Sequence, residues 1–487
     1  MTQSDVSAFS DGLSELAAPK AVSAPASRVA TIEQFIFWAA ILGVAWVPFW
    51  LGSNRAIAWL INAGYFGTLV VLLEAALLIG RRAHPVALRR VAYPAAIFAL
   101  TGLWILFQAS TFIPAWLENP IYQYGRETFK IDILGSITIN RGLTYWALLR
   151  LLTQGAVFWL FLQLCRSPQR AHWTVQAIAL IGMAYAIYGV VAFFEFPGTL
   201  LWFTKPAYLD SVTSTFVNRN SYATYVGIGM VAALACTFSA YVRSANLVGR
   251  SALRRATSFI AATAGPAGWW LVGSFILGLA LVRTGSRGGI LASVGGMIAL
   301  VLLTTMRGRN AIAGLACLLG LLAAGFAIFV FGDFFAGRLL ALGFNSADRL
   351  AVYKLTIVSI LDAPWKGFGY GTFEYVFPMY RDNSLSPFGV WDKAHNTYLE
   401  IFQGLGIPVA TLFFVMLLIL VVRVGRAALT RRSSATAALV AVSASVIVAL
   451  HSFVDFSMQI QAVALTWTAL LAAGVAQSWS SRLDTSA

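Results

Sequence analysis

Charge is scarce in this chain. Only 11% of its 487 residues are Asp, Glu, Lys or Arg, where an average soluble protein carries roughly 25%. Hydrophobic residues make up 59%, and mean hydropathy is +0.76. A soluble core cannot absorb that much apolar surface, which excludes a soluble enzyme, a disordered scaffold and a secreted disulfide domain. Cysteine is nearly absent: Cys165, Cys236 and Cys317 are scattered in or at the ends of apolar runs. They offer neither metal spacing nor a disulfide framework. No Walker A sequence is present, which argues against an ATPase, and no His-Glu-x-x-His occurs. The first outward connection, Gly52-Ser53-Asn54-Arg55, has no carboxylate pair for a divalent cation. Acids are few, 19 against 34 Lys and Arg, so the net charge is +15. That excess sits in short loops between apolar runs, as topology signals and anionic headgroups require. With no basic soluble domain to hold it, nucleic acid is not an expected partner.

What is present is long apolar runs separated by short basic ones. This pattern means helices, not a barrel, whose strands would alternate apolar and polar. The expected fold is an all-α polytopic membrane protein. Twelve segments have spanning length: 32–51, 56–80, 91–113, 143–165, 173–196, 221–243, 267–283, 289–306, 311–332, 398–422, 435–455 and 459–478. The Ala/Ser/Pro-rich stretch 1–30 reads as a disordered cytoplasmic tail, not a signal peptide. The expected organisation is nine spans over 31–332, a long loop over 333–397, and three spans with a short tail over 398–487. Residues 244–266 are partly amphipathic and suit the membrane surface. Alternate connections are basic, as in Arg81-Arg82, Arg166 to Arg170, Arg243 to Arg255, Arg307 to Arg309 and Arg423 to Arg432. The positive-inside rule places these, and both termini, in the cytoplasm. The outward connections 114–142, 197–220 and 333–397 are longer than turns. The last is rich in Gly, Pro, Trp, Tyr and Phe, so it is expected to fold over the membrane surface, with a helix near 349–361.

Four polar constellations stand at outer helix ends. Arg283-Thr284-Gly285-Ser286-Arg287-Gly288-Gly289 joins spans seven and eight. Its arginines, glycine N–H groups and positive helix end suit a phosphate, although snorkelling anchors would look alike. Thr215-Phe216-Val217-Asn218-Arg219-Asn220-Ser221-Tyr222 precedes span six. It gathers donors for an anion or sugar hydroxyls, or it caps a helix through Asn220 or Ser221 with Arg219 snorkelling. Ala394-His395-Asn396-Thr397-Tyr398-Leu399-Glu400 ends the long loop. His395 could move a proton near neutral pH, or be a loop histidine with one satisfied hydrogen bond. Asn396 or Thr397 could cap the helix that follows. His451-Ser452-Phe453-Val454-Asp455-Phe456 lies at the end of span eleven. His451 and Asp455, four apart, would share a helix face and tie the last helices together. Arg150 and Glu74 are further charges inside spans, with no partner legible in the sequence.

Taken in order, five segments resemble the O-antigen ligase/O-antigen polymerase family of bacterial envelope glycosyltransferases. They are Phe-Val-Asn-Arg-Asn (216–220), Ser-Arg-Gly-Gly (286–289), Asp348-Arg349 ahead of Asp-Ala-Pro-Trp-Lys-Gly-Phe-Gly-Tyr-Gly-Thr-Phe (362–373), Ala-His-Asn-Thr-Tyr-Leu-Glu through Gly-Leu-Gly (394–406), and His-Ser-Phe-Val-Asp-Phe (451–456). The resemblance implies a GT-C-like fold of about twelve spans with the long periplasmic loop between spans nine and ten. It implies inverting, metal-independent transfer of a glycan from undecaprenyl pyrophosphate, in the bacterial inner membrane with the site facing the periplasm. The acceptor would be lipid A-core for a ligase, or another lipid-linked glycan for a polymerase. No cofactor is expected. By the resemblance the catalytic positions are Arg287, Arg349 and His395, with Arg338 and Arg381 competing with Arg349 for the loop-arginine role. Arg219, Asn218, Asn220, Arg283, Asn396 and Tyr398 are the candidate substrate contacts. A flippase for lipid-linked sugars is the rival of another class. Transporters often carry two related halves, and none is legible between 32–243 and 267–478.

Overall fold

The structure is a computed structural model that describes residues 24–246, 257, 260–307, 346–386, 388–431 and 435–479. It is almost entirely helical, as composition requires. Among the described residues, eight helices are long and apolar enough to cross a membrane, and three shorter apolar helices join them. In chain order the first six helices are α1 (Ala24–Trp46), α2 (Ala56–Ile79), α3 (Ala92–Ala109), the short polar α4 (Pro120–Phe129), α5 (Arg141–Leu164) and α6 (Pro168–Glu195). A small antiparallel hairpin follows, β1 (Thr199–Leu200) and β2 (Phe203–Thr204). Then come α7 (Arg219–Asn246), α8 (Pro266–Arg283), α9 (Arg287–Arg307), α10 (Ser346–Asp362), α11 (Phe373–Val376), α12 (Thr397–Leu405), α13 (Ile407–Thr430), α14 (Thr436–His451) and α15 (Gln461–Ala476). Ten of the twelve expected spans coincide with apolar helices among the described residues, and an eleventh, 398–422, coincides only in part. The ninth, 311–332, lies outside the described residues, as do most of the expected tail and most of the amphipathic stretch 244–266. Helix α1 begins at Ala24, inside the stretch expected to be tail.

Burial sorts the helices. Every residue of α15, Gln461 to Ala476, is buried. A helix that is apolar all round needs protein on every side, and α15 finds it between α5, α14, α7 and α13. Helix α7 is the other centre, packed on α6, α8, α9 and α14. Small residues let these backbones approach: a Cβ on Gly182 of α6 would come 3.3 Å from the Gly229 Cα of α7. Between lipid-immersed helices, where apolar burial gives no net drive, such close packing supplies the attraction.

Two sequence expectations need correction. The segment 398–422 is not one span. It breaks at Gly406 into α12 and α13. Gly406 has φ +79°, and Pro408 falls at the start of α13. Glycine alone tolerates that backbone, and a Cβ there would sit 2.6 Å from the Trp365 carbonyl oxygen. The break lets the glycine-rich turn 364–371 lie backbone to backbone on the end of α12. Phe368 N–H donates to Gln403 O at 3.0 Å, Gly369 N–H to Gly404 O at 3.1 Å, and Ile407 N–H to Pro364 O at 2.7 Å. The second correction concerns the 451–456 motif. Helix α14 ends at His451, so Asp455 is not one turn further along the same helix.

The described part of the long 333–397 connection is folded, as its aromatics imply. Val352, Phe373, Phe377, Leu385, Trp391 and Ala394 form its own buried core. It is tied to the 114–142 connection, where Lys366 Nζ donates to Leu117 O at 2.9 Å and Ile139 N–H to Phe368 O at 3.0 Å. Helix α10 covers residues 346–362, where a helix was expected near 349–361.

Candidate active site

The site is built where the 394–396 turn meets the unwound segment after α14. Asn396 caps α12, its Oδ1 accepting from Leu399 N–H at 3.1 Å. Its amide Nδ2 donates to Phe453 O at 3.1 Å. Thr397 N–H donates to Ser452 O at 2.9 Å, and its hydroxyl donates to Asp455 O at 2.9 Å. These bonds clamp the two segments together. His395 is thereby held at φ +54°, a left-handed backbone that a β-carbon residue seldom adopts. Its carbonyl accepts from the Tyr353 hydroxyl of α10 at 2.9 Å, which fixes the turn from above.

The His395 imidazole lies edge-on to Trp391 and Phe456, with ring centroids 5.9 and 5.0 Å away. Its Nδ1 is 3.9 Å from Asp455 Oδ1. The His395 side chain keeps 19% of its exposure, while Asp455 has none. The carboxylate is held in place by Ser457 Oγ and by Asn220 Nδ2 at 3.3 Å. Burial pushes the imidazole below its ordinary value; Asp455 opposes this, and Arg349 and Lys393 add to it. The ring is therefore neutral near pH 7, with a free electron pair available to a proton.

Cations surround the turn. Arg349, in the first turn of α10, donates to Val454 O at 3.4 Å. Arg219 opens α7, its guanidinium 5.1 Å from the Tyr208 ring centroid and donating to Ser211 Oγ at 3.3 Å. The charges of Arg349 and Arg287 both act on Arg219, so the three cations form one positive field. Arg287 is exposed and opens α9. A Cβ on the next residue, Gly288, would stand 3.2 Å from His451 Nε2 and 3.0 Å from Val454, so α9 starts in close contact with the 451–455 segment.

Other expected site residues make contacts within the fold. Asn218 caps α7, its Oδ1 accepting from Asn220 N–H at 2.7 Å and Ser221 N–H at 3.4 Å. The cap is thus Asn218, not Asn220 or Ser221. Arg283 turns to α6, its guanidinium 4.8 Å from the Phe193 ring and 5.9 Å from Phe194. Tyr398 donates to Ala449 O at 2.9 Å and packs 4.6 Å from Phe453. His451 is buried and meets the Thr224 hydroxyl at 2.6 Å, so it serves helix packing without pairing to Asp455. Arg381 bonds within its own loop, to the carbonyls of Gly389 and Ser386. Arg338 lies outside the described residues.

Two contributors escaped the sequence. By sequence Asp455 pairs with His451, and only folding brings it beside His395. Lys205 carried no motif, yet its buried Nζ donates to Ser211 O at 2.7 Å, behind the serine that holds Arg219. Burial pulls that ammonium down to about 8, with Asp210 opposing.

Among the described residues, no three His, Cys, Asp or Glu side chains gather as a metal site. The arrangement is chemically simple. It presents a neutral imidazole 3.9 Å from a buried carboxylate, with the Arg349 guanidinium, a group suited to phosphate oxygens, bonded to the adjoining Val454 O. A search of curated proteins finds no match to the chain. Residues 272–414 match the family model described as O-antigen ligase. The expected resemblance is borne out over that stretch: there the chain is similar to the O-antigen ligase family, and the stretch carries Arg287, Arg349 and His395 together.

Proposed function

We propose that this multi-pass membrane protein is an inverting, metal-independent glycosyltransferase of the O-antigen ligase type. It moves a glycan from undecaprenyl pyrophosphate to lipid A-core at the periplasmic face of the bacterial inner membrane. The observation that carries this reading is His395 held 3.9 Å from Asp455, with Arg349 bonded to Val454 O of the same segment. Breaking a sugar–pyrophosphate bond leaves negative charge on the leaving oxygens. Preorganised guanidinium groups meet that charge without reorganising, and this is the largest electrostatic lever such a site has. Arg287 and Arg349 hold the pyrophosphate in two-point contacts. His395 takes the proton from the acceptor hydroxyl as the hydroxyl oxygen attacks the anomeric carbon from the face opposite the pyrophosphate. Asp455 steadies the imidazolium that forms. Arg219, held by Tyr208 and Ser211, supplements the phosphate contacts.

The test is a product ladder. Purified protein receives labelled undecaprenyl-pyrophosphate oligosaccharide with and without lipid A-core, beside a His395→Ala control. Label passing only to lipid A-core supports the ligase. A ladder of longer glycans without lipid A-core makes the chain a polymerase. No transfer in either arm, with the control indistinguishable, removes the glycosyltransferase reading.

A further inference from the structure

The 394–400 and 452–461 segments form one strip, and a single carboxylate spans it. Glu400 lies four residues after the Asn396 cap of α12. Side chains on a helix lean towards its N-terminus, so Glu400 returns to the turn from which α12 starts. Its Oε1 accepts from Ala394 N–H at 2.8 Å, and Ala394 immediately precedes His395. Its Oε2 accepts from Gln459 Nε2 at 2.6 Å. Gln459 ends the single-turn helix Ser457–Gln459, whose first residue holds the Asp455 carboxylate through Ser457 Oγ. Glu400 thus grips the histidine's segment on one side and the aspartate's segment on the other. Behind this grip lies a largely apolar chamber of about 900 Å³, which Glu400 and Gln459 both line.

Both Glu400 oxygens accept from N–H donors, the pattern of an ionised carboxylate. Hydrogen bonds to a carboxylate are strong against an apolar wall, and an amide N–H left unmatched there is costly. Asn396 already caps α12 through Leu399 N–H, so the Glu400 bond to Ala394 serves the turn and not the helix start. The turn needs that hold. His395 sits at φ +54°, a backbone that persists only where its surroundings over-determine it. Asn396 and Thr397 fix the turn after the histidine, Tyr353 fixes its carbonyl, and Glu400 fixes it from before. We propose that Glu400, braced by Gln459, is a positioning residue for His395: it holds the strained turn so that the imidazole stands 3.9 Å from Asp455. That this prepares a base for glycosyl transfer rests on the proposed function; the setting of the imidazole does not.

The experiment titrates the full chain in lipid nanodiscs by NMR, with isotope-labelled histidine; the His395 signal is the one missing from His395→Ala. In the unaltered protein burial holds this imidazole below its ordinary value, Asp455 and Asp392 oppose burial, and Arg349 and Lys393 add to it. Burial is the largest of these, so a turn released towards water should raise the His395 midpoint towards about 6.5. Glu400→Ala removes the acceptor and should raise the midpoint in this way. The acid limb of transfer should move up with it, and kcat should fall about tenfold or more with KM changing less. Glu400→Gln keeps an oxygen for Ala394 N–H and an amide that pairs with a turned Gln459, so it should keep the midpoint and most of the rate. Gln459→Ala removes the brace alone and should give a smaller rise; it decides the matter if Glu400→Ala does not fold. A His395 midpoint unmoved in both alanine variants overturns the proposal, whatever the loss of stability. So does Glu400→Gln matching Glu400→Ala, which would make the charge and not the bond the working part. A shifted midpoint in a chain that transfers no glycan in any variant sinks the glycosyltransferase reading and leaves the positioning of His395 standing.

Discussion

His395 gains its chemistry from its neighbours. Burial and Arg349 disfavour the imidazolium, while Asp455 favours it, and the balance lies below the ordinary imidazole value. A base must be neutral to act, so transfer should persist into mildly acidic solution and fall as pH drops through the lowered value. Asp455→Asn removes the group that favours the proton, so the acid limb should move to still lower pH while maximal rate falls. Arg349→Gln should move the limb upward. A limb unmoved in both variants would separate His395 from the rate. His395→Ala should cost roughly 10²–10⁴-fold in rate, read as single-turnover transfer. Arg287 is tested by chemistry instead of pH. Lysine keeps the charge and loses the fork, so Arg287→Lys should remain depressed by about a hundredfold; full activity would dismiss the two-point phosphate contact.

Helix α12 shows how an element positions a side chain. It has nine residues, too few to span, and exists because Asn396 caps one end and Gly406 breaks the other. Its task is to hold the 394–396 turn against 452–455. Gly406→Ala forces a left-handed backbone on a residue that resists it and drives a Cβ into Trp365. The expected loss is about 1–3 kcal/mol, seen as a lower thermal midpoint in detergent. Asn396→Ala should cost about 1 kcal/mol as a lost cap, and more in activity, because the same side chain pins Phe453. Equal activity at reduced stability would limit Asn396 to capping.

Across the whole molecule, electrostatics divides between the two sides of one strip. Arg287 and Arg349 act on Arg219, while Arg150, bonded to Gln459 O and over the Trp59 ring, lines a largely apolar chamber. If guanidinium groups handle the phosphate charge, chelation should leave transfer unchanged. Loss with EDTA, restored by Mg²⁺ or Mn²⁺, would show that a metal does this work.

Most of the architecture was legible before folding. Hydropathy placed eleven apolar helices, because a membrane demands long runs without charge and tolerates little ambiguity. The polar motifs at outer helix ends marked Arg219, Arg287 and His395, and the family resemblance added Arg349. What periodicity could not show was which polar group meets which. His451 and Asp455 are four residues apart and suggest a pair, but α14 ends at His451 and Asp455 lies beside His395 instead. Arg150 and Glu400 are 250 positions apart by number, and their shared chamber depends on α5, α12 and the 457–461 turn converging. Local sequence sets helices by hydrogen bonds and solvation within a few residues; partners across the bundle are set by packing, and only the folded chain contains that.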